Sequence, residues 1–176
     1  MSENLIDIEI TVNRFRHTVH GVPADLPLLD FLGEEFGLTG TKLCCGIGVC
    51  RACTVILRRV PGATPVPILA CSTPVSEVNG QNIETVEGLA TSGQLSPLQQ
   101  AFLDDFAFQC GYCTPGLLMG AQALLERLRL APIRKDEIDK TILQACGDHF
   151  CRCTGYVRYF QAIRKVILAT PGLVRT

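Results

Sequence analysis

Cysteine is the residue through which this chain can do chemistry. Ten of its 176 residues are cysteine and only three are histidine, so any metal site must be built from thiolate. Cys45, Cys50 and Cys53 are spaced C-x4-C-x2-C inside the stretch "GTKLCCGIGVCRACTVIL" (Gly40 to Leu57), and Cys71 follows after seventeen more residues. This is the plant-type [2Fe–2S] order, with three ligands on one loop and the fourth distant. An iron pair bridged by sulfide takes four thiolates in a compact shell. A loop of small residues can wrap it with backbone N–H groups aimed at sulfur, which offsets its negative charge. Gly46 and Gly48 permit the close approach and the unusual backbone angles. Cys44 competes with Cys45, but it would make the gap five residues instead of four. The four-residue gap favours Cys45 and predicts that Cys44 points away as a small buried hydrophobe.

A second group consists of Cys110-x2-Cys113 and Cys151-x-Cys153, with 37 residues between the pairs. Each pair falls at an expected helix junction, where the positive end of a helix suits an anionic centre. Two cysteine pairs brought together by folded helices would give four thiolates. Zinc also takes four cysteines and stays open as an alternative for this group, although C-x-C fits zinc knuckles poorly. A thioredoxin-like role for C-x2-C lacks a surrounding βαβ pattern. His149 could in principle replace a thiolate, as in Rieske centres, but four cysteines already complete the set. Cys146 is expected in the core, and His17 and His20 on the surface of a hairpin.

The elements that must position these loops are legible in the periodicity. Leu5 to Val12 alternates as a strand, Asn13-Arg14 reads as a tight turn, and Phe15 to Val19 alternates back. Asp25 to Phe36 has helical spacing, with Gly37 as C-terminal cap. Strands are expected at Thr54 to Leu57, Val66 to Cys71 and Ile83 to Val86, with a Pro/Gly-rich loop at Val60 to Pro67. Gly88 to Gly93 is small and polar and marks a boundary. Ser96-Pro97-Leu98-Gln99 is a capping box that predicts a helix to about Phe108. Thr114-Pro115 starts a second helix, whose inner face is Leu117, Leu118, Ala121, Leu124, Leu125 and Leu128. Further helices are expected at Lys135 to Ala145 and Tyr156 to Ala169. A β-rich half precedes an all-α half.

Composition excludes several classes. At 47% apolar and 19% charged residues, the chain can build a packed core. Its net charge of −1, with scattered basic residues, gives no nucleic-acid stripe and no polybasic membrane patch. No apolar run is long enough for membrane insertion, and the first residues lack the features of a signal peptide. Without a secretion signal, the cysteines point to metal or redox chemistry in place of disulfides. No Ser-His-Asp set, phosphate-binding glycine loop or acid-base carboxylate is apparent, so no catalytic residue is assigned. Arg51, Arg58 and Arg59 are read as solvated charges. A free-standing zinc-stabilised or redox-regulatory module is the alternative to an electron-transfer role, and colour separates them.

"GTKLCCGIGVCRACTV", "QCGYCTPG" and "CRCTGY", in this order and at these distances, resemble the small iron–sulfur subunit of the xanthine oxidase family of molybdenum hydroxylases. The resemblance runs from Ile6 to about Ile167. It implies an α+β chain: a β-grasp, plant-ferredoxin-like domain over residues 1–87, then a four-helix bundle over residues 88–176. It assigns Cys45, Cys50, Cys53 and Cys71 to one [2Fe–2S] cluster, and Cys110, Cys113, Cys151 and Cys153 to a second. It also sets Gln109 and Cys153 against the pterin of a molybdopterin cofactor held mainly by a large catalytic partner subunit. In such a complex the large subunit hydroxylates an aldehyde or aromatic N-heterocycle. Electrons then leave through the second cluster and the first to a flavin subunit or a cytochrome. The expected compartment is the cytoplasm, with export on a partner's signal as an option. The chain departs from the family pattern at Cys44 and Arg51, where glycine is usual. It departs again at Gly147-Asp148-His149-Phe150, one residue longer than the usual run before C-R-C.

Overall fold

A computed structural model describes residues 4–59 and 63–175. Over these residues the chain is α+β, with a mixed five-stranded sheet and five α-helices. Strands β1 (Leu5–Val12) and β2 (Phe15–Pro23) form an antiparallel hairpin. Its turn is Asn13-Arg14, both at positive φ (49° and 78°). That is the primed geometry whose twist matches the strands it joins. Asn13 holds the turn to the chain seventy residues on, since its Oδ1 accepts Thr85 N–H at 2.9 Å and its Nδ2 donates to Thr85 Oγ1 at 2.9 Å.

Helix α1 (Leu28–Phe36) begins three residues later than its spacing suggests. Pro27 is the N-cap, and the residue before a proline is pushed out of helical conformation, so Asp25 and Leu26 stay outside. Gly37 closes the helix at φ 64°, as expected. Strands β3 (Thr54–Arg58), β4 (Val66–Leu69) and β5 (Asn82–Glu84) complete the sheet in the order β2-β1-β5-β3-β4. The β1–β5 pair alone is parallel among the strand pairs of this sheet. Of the loop expected at Val60 to Pro67, Val60, Pro61 and Gly62 lie outside the described residues, and Val66 and Pro67 belong to β4. The strand expected to reach Cys71 ends at Leu69. The one expected at Ile83 to Val86 gives way at Val86 to a 3-10 turn, Val86–Leu89.

Strand β3 explains how the two halves hold together. Thr54, Val55, Ile56 and Leu57 are all buried. Val55 and Leu57 join a core with Ile8, Ile10, Val12, Phe31, Leu32 and Ile83. Ile56 points the other way, into a core with Phe102, Leu117, Leu124, Tyr159 and Ile163. Alternation along a strand puts neighbours on opposite faces, so a strand covered on both faces reads as continuously apolar. Helix α3 (Thr114–Leu130) supplies the second cover. At its far end Arg58 closes the junction, bonding Glu84 at 2.8 Å and Glu126 of α3 at 2.6 and 2.9 Å. The guanidinium is mostly buried between two carboxylates, which corrects its reading as a solvated charge.

Helix α2 (Pro97–Asp104) has the expected capping box, with Ser96 Oγ accepting Gln99 N–H at 3.2 Å and Gln99 Oε1 accepting Ser96 N–H at 2.9 Å. It stops four residues short of Phe108. Phe106 stands at φ 47°, Phe106 N–H returns to Leu103 O, and Ala107 N–H returns to Phe102 O. This is the Schellman closure, with phenylalanine in the left-handed position glycine usually takes. Helices α4 (Ile138–Cys146) and α5 (Val157–Ala169) pack with α2 and α3. A short parallel pair, β6 (Ile133–Arg134) with β7 (Val174–Arg175), ties the end of the chain to the α3–α4 connection. Sequence periodicity gives no sign of two-residue strands.

Two glycines in helices predict opposite outcomes. A Cβ on Gly116 would stand 2.3 Å from Arg51 O and 2.7 Å from Ala52 O, both backbone atoms that cannot yield cheaply. A Cβ on Gly33 of α1 meets nothing within 4 Å. Gly116→Ala is expected to destabilise the chain by about 1–3 kcal/mol through overpacking. Gly33→Ala is expected to stabilise it by about 0.5–1 kcal/mol through backbone entropy. Unfolding midpoints of the two variants measure both.

Candidate metal centres

The first sulfur loop lies between α1 and β3. Gly46 (φ 68°), Gly48 (φ 72°) and Arg51 (φ 61°) turn the backbone repeatedly into the left-handed region. At Gly48 this is also a matter of space, since a Cβ there would stand 3.0 Å from Ser72 Oγ, beside Cys71. The curl aims N–H groups inward. Val49 N–H and Cys50 N–H both donate to Cys45 Sγ, each at 3.4 Å. Backbone donors, Cys50 N–H first and Ile47 N–H next, hold the Cys45 thiol down to about 6. The Cys50 side chain acts on the Cys45 thiol, and Cys71 acts on the Cys53 thiol. Burial pushes the Cys53 thiol up to about 12.

The distant fourth cysteine is brought in by backbone bonds. Leu28 N–H and Leu29 N–H, free donors in the first turn of α1, bond Thr73 O at 2.8 Å and Ala70 O at 3.0 Å. Ala70 N–H bonds Cys53 O at 3.2 Å. The turn carrying Cys71 is thereby fixed to the start of α1 and to Cys53 together. Cys44 is exposed, which corrects its reading as a buried hydrophobe. The loop curls about Cys45 and leaves its neighbour outside.

The second group forms where three helices converge. Cys113 is the N-cap of α3, and Cys110 is exposed at the edge of the same turn. Cys153 Sγ lies 3.6 Å from Cys110 Sγ, and the Cys113 and Cys151 thiols act on each other. The group thus has an outer exposed pair and an inner, partly buried pair. Tyr159, fully buried in the first turn of α5, sets its hydroxyl 3.3 Å from Cys113 Sγ, 3.1 Å from Thr114 Oγ1 and 3.9 Å from Cys151 Sγ. Tyr156 O–H accepts Cys151 N–H at 3.0 Å. Burial works against the Cys151 thiolate, yet the Thr154 hydroxyl and neighbouring donors hold its thiol down to about 7. Burial pushes Cys113 up to about 11. Each group therefore has one sulfur disposed to ionise near neutral pH, and the proton must leave a thiol before it binds metal. Spacing alone does not reveal Thr154, Tyr156 or Tyr159 as supports of the inner sulfurs.

In each group the four thiols act on one another as neighbours, Cys45, Cys50, Cys53 and Cys71 in the first and Cys110, Cys153, Cys151 and Cys113 in the second. Four thiols gathered in this way suit a pair of metal ions, each taking two thiolates. Cys146 is fully buried, with its thiol pushed up to about 12 by burial, and belongs to the core as expected.

The other singled-out residues take definite places. Gln109 is exposed, and because α2 ends at Asp104 it caps no helix. His17 stacks on Phe36 with ring centroids 4.5 Å apart, and His20 pairs with Asp7 on the exposed hairpin. His149 is 2% exposed, and burial pushes it down to about 4. Arg51 reaches across to the second loop, its Nη2 2.8 Å from Asp148 Oδ2. Phe150 N–H donates to Cys50 O at 3.1 Å. A second bridge joins Tyr112 O–H, between Cys110 and Cys113, to Leu43 O at 2.5 Å.

Comparison with known proteins agrees with this geometry. Residues 10–76 match the 2Fe-2S iron-sulfur cluster binding domain, and residues 85–164 match the [2Fe-2S] binding domain. The nicotinate dehydrogenase small FeS subunit of Eubacterium barkeri is 38% identical, over 93% of this chain and 96% of its own length. The nicotine 6-hydroxylase small subunit of Paenarthrobacter nicotinovorans is 40% identical, over 96% and 92%. A chain of quinoline 2-oxidoreductase from Pseudomonas putida 86 superposes with a TM-score of 0.77 at 35% identity, covering 96% of this chain and 93% of that one. With two matched cluster-binding segments and relatives alike along nearly their whole length, the chain belongs to the xanthine oxidase family of molybdenum hydroxylases, as its small electron-transfer subunit with two [2Fe–2S] clusters.

Proposed function

We propose that this subunit carries electrons inward from Cys110 and Cys153 to Cys113 and Cys151, then across to the loop of Cys45, Cys50, Cys53 and Cys71, and on to a flavin subunit or a cytochrome. The observation that carries this reading is the gathering of four cysteines in each group, with the exposed Cys110 and Cys153, 3.6 Å apart, outermost in the second. When bound, each [2Fe–2S] cluster supplies a centre that accepts and returns one electron. The chain's own work is to hold and tune. Cys45, Cys50, Cys53 and Cys71 hold one cluster, and the N–H groups of Val49 and Cys50 offset negative charge on the Cys45 sulfur. Cys110, Cys113, Cys151 and Cys153 hold the other, with the Tyr159 and Thr154 hydroxyls serving the inner sulfurs.

Gln109 and Cys153 then face the pterin of a molybdopterin cofactor in a large catalytic partner subunit. Exposure of both residues supports this, since a surface amide can still donate and accept at an interface. The relatives' names include nicotinate, nicotine and quinoline beside aldehyde oxidases and oxidoreductases, so the complex's substrate is an aldehyde or an aromatic N-heterocycle. The layout that goes with this function is a β-grasp domain over residues 1–87 and a four-helix bundle over residues 88–176. Two hydrophobic cores and the mutual packing of α2 to α5 support it. No helix among the described residues is long and apolar enough to cross a membrane.

Three outcomes test the assignment. The purified complex is expected to carry about four irons per small subunit and to show two distinct [2Fe–2S] signals when reduced; zinc in place of iron would overturn it. Cys45→Ser is expected to abolish one signal, while Cys44→Ser leaves both, as electron paramagnetic resonance of the two variants will report. Tyr159→Phe removes a donor to the inner sulfurs, which leaves the reduced, more negative state less stabilised. The second centre is then expected to become harder to reduce in a redox titration, with the first unchanged.

A further inference from the structure

The three residues before Cys151 meet the first sulfur loop at successive points. Asp148 takes Arg51, Phe150 N–H takes Cys50 O, and His149 lies buried between them. The His149 ring touches three elements. Its Nε2 lies 3.0 Å from Gly116 O in α3 and 3.4 Å from Thr54 Oγ1 in β3, and its Nδ1 lies 3.3 Å from Cys146 O at the end of α4. Gly120 leaves the room the ring occupies, because a Cβ there would stand 2.7 Å from His149 Cε1. The Thr54 hydroxyl also donates to Arg51 O at 2.8 Å, so the same contacts run back into the first loop.

We propose that His149 is the positioning residue for electron exchange between the two centres: its ring fixes the register at which Phe150 N–H meets Cys50 O, and that hydrogen bond is the route between the loops. The inference rests on the ligand assignment above. The route runs from Cys151 through its own peptide to Phe150 N–H, across one hydrogen bond, and through the Cys50 carbonyl to the Cys50 side chain. One electron crosses, so the centre on the Cys151 side is oxidised and that on the Cys50 side is reduced. No bond forms and no proton moves. A further cross-loop bond, Tyr112 to Leu43, joins residues that carry no sulfur and adds chain on both sides. Arg51 and Asp148 act on the same contact from outside. Their pair is exposed, as surface pairs worth about 0–1 kcal/mol are, so the buried ring does most of the positioning.

The bland role for His149 is to fill space between three elements. The two roles part in the holo complex with its partner subunits. His149→Leu keeps comparable bulk and removes both ring nitrogens. With the iron content unchanged, it is expected to weaken the magnetic interaction between the two reduced centres. It should also slow their equilibration after rapid one-electron reduction by about 10–100-fold, the usual scale for supports of metal ligands. A lower unfolding temperature with unchanged interaction and unchanged equilibration would overturn the proposal and leave the ligand assignment standing. Failure of the assignment would show instead in the cysteine variants and in the iron count. If His149→Leu loses iron, Gly120→Ala, which drives the ring from its seat, decides. Slowed equilibration with iron retained supports the role, and an unchanged rate overturns it.

Discussion

The close approach of helix α3 to the first sulfur loop is the constraint on which the rest of this structure depends. The first turn of the helix lies on the carbonyls of Arg51 and Ala52, and only glycine at position 116 leaves room for them. Once that contact is made, β3 is covered on its second face and Ile56 has a core to enter. The N-cap of the same helix is Cys113, so one rigid element seats a sulfur of the second group at its start and packs on the loop of the first group one turn later. Burial on both sides of β3 makes the junction part of two cores at once. Arg58, shared by Glu84 and Glu126, closes its far end.

Electrostatics at the two sites follows from how the sulfurs are surrounded. Loops rich in left-handed residues expose their N–H groups on the concave side, and Cys45 collects them. Around the second group hydroxyls from Thr154 and Tyr159 join the backbone donors. Hydrogen bonds to sulfur favour the charged form, whereas burial opposes it. The inner sulfurs, Cys53 and Cys113, feel burial most. A centre with one accessible side and one buried side has a direction built into it, from solvent towards the neighbouring loop.

Much of this was legible in the chain itself because the signals are local. The four-residue gap between Cys45 and Cys50, the capping box at Ser96 and the 3.6-residue face of Leu117 to Leu128 need no tertiary knowledge. The early end of α2 was hidden because Phe106 adopts a conformation that its residue type does not advertise. Pro27 offered a visible reason to start α1 late, yet the apolar spacing runs through it. Arg58 and His149 looked ordinary because their surroundings come from segments dozens of residues away. Cys44 shows the limit from the other side: spacing singled out its neighbour, but the direction in which a left-handed loop turns was not legible.

The cover that α3 gives to β3 has a consequence for control. Helix α3, with backbone against backbone at Gly116 and a ring wedged at Gly120, lies on a strand that enters both cores and leaves no hinge between the two sulfur loops among the described residues. Their separation is set by this packing. A conductor of fixed length cannot act as a valve. The rate at which electrons pass must then be governed at its ends, by how fast one neighbour delivers them and how fast the other takes them away.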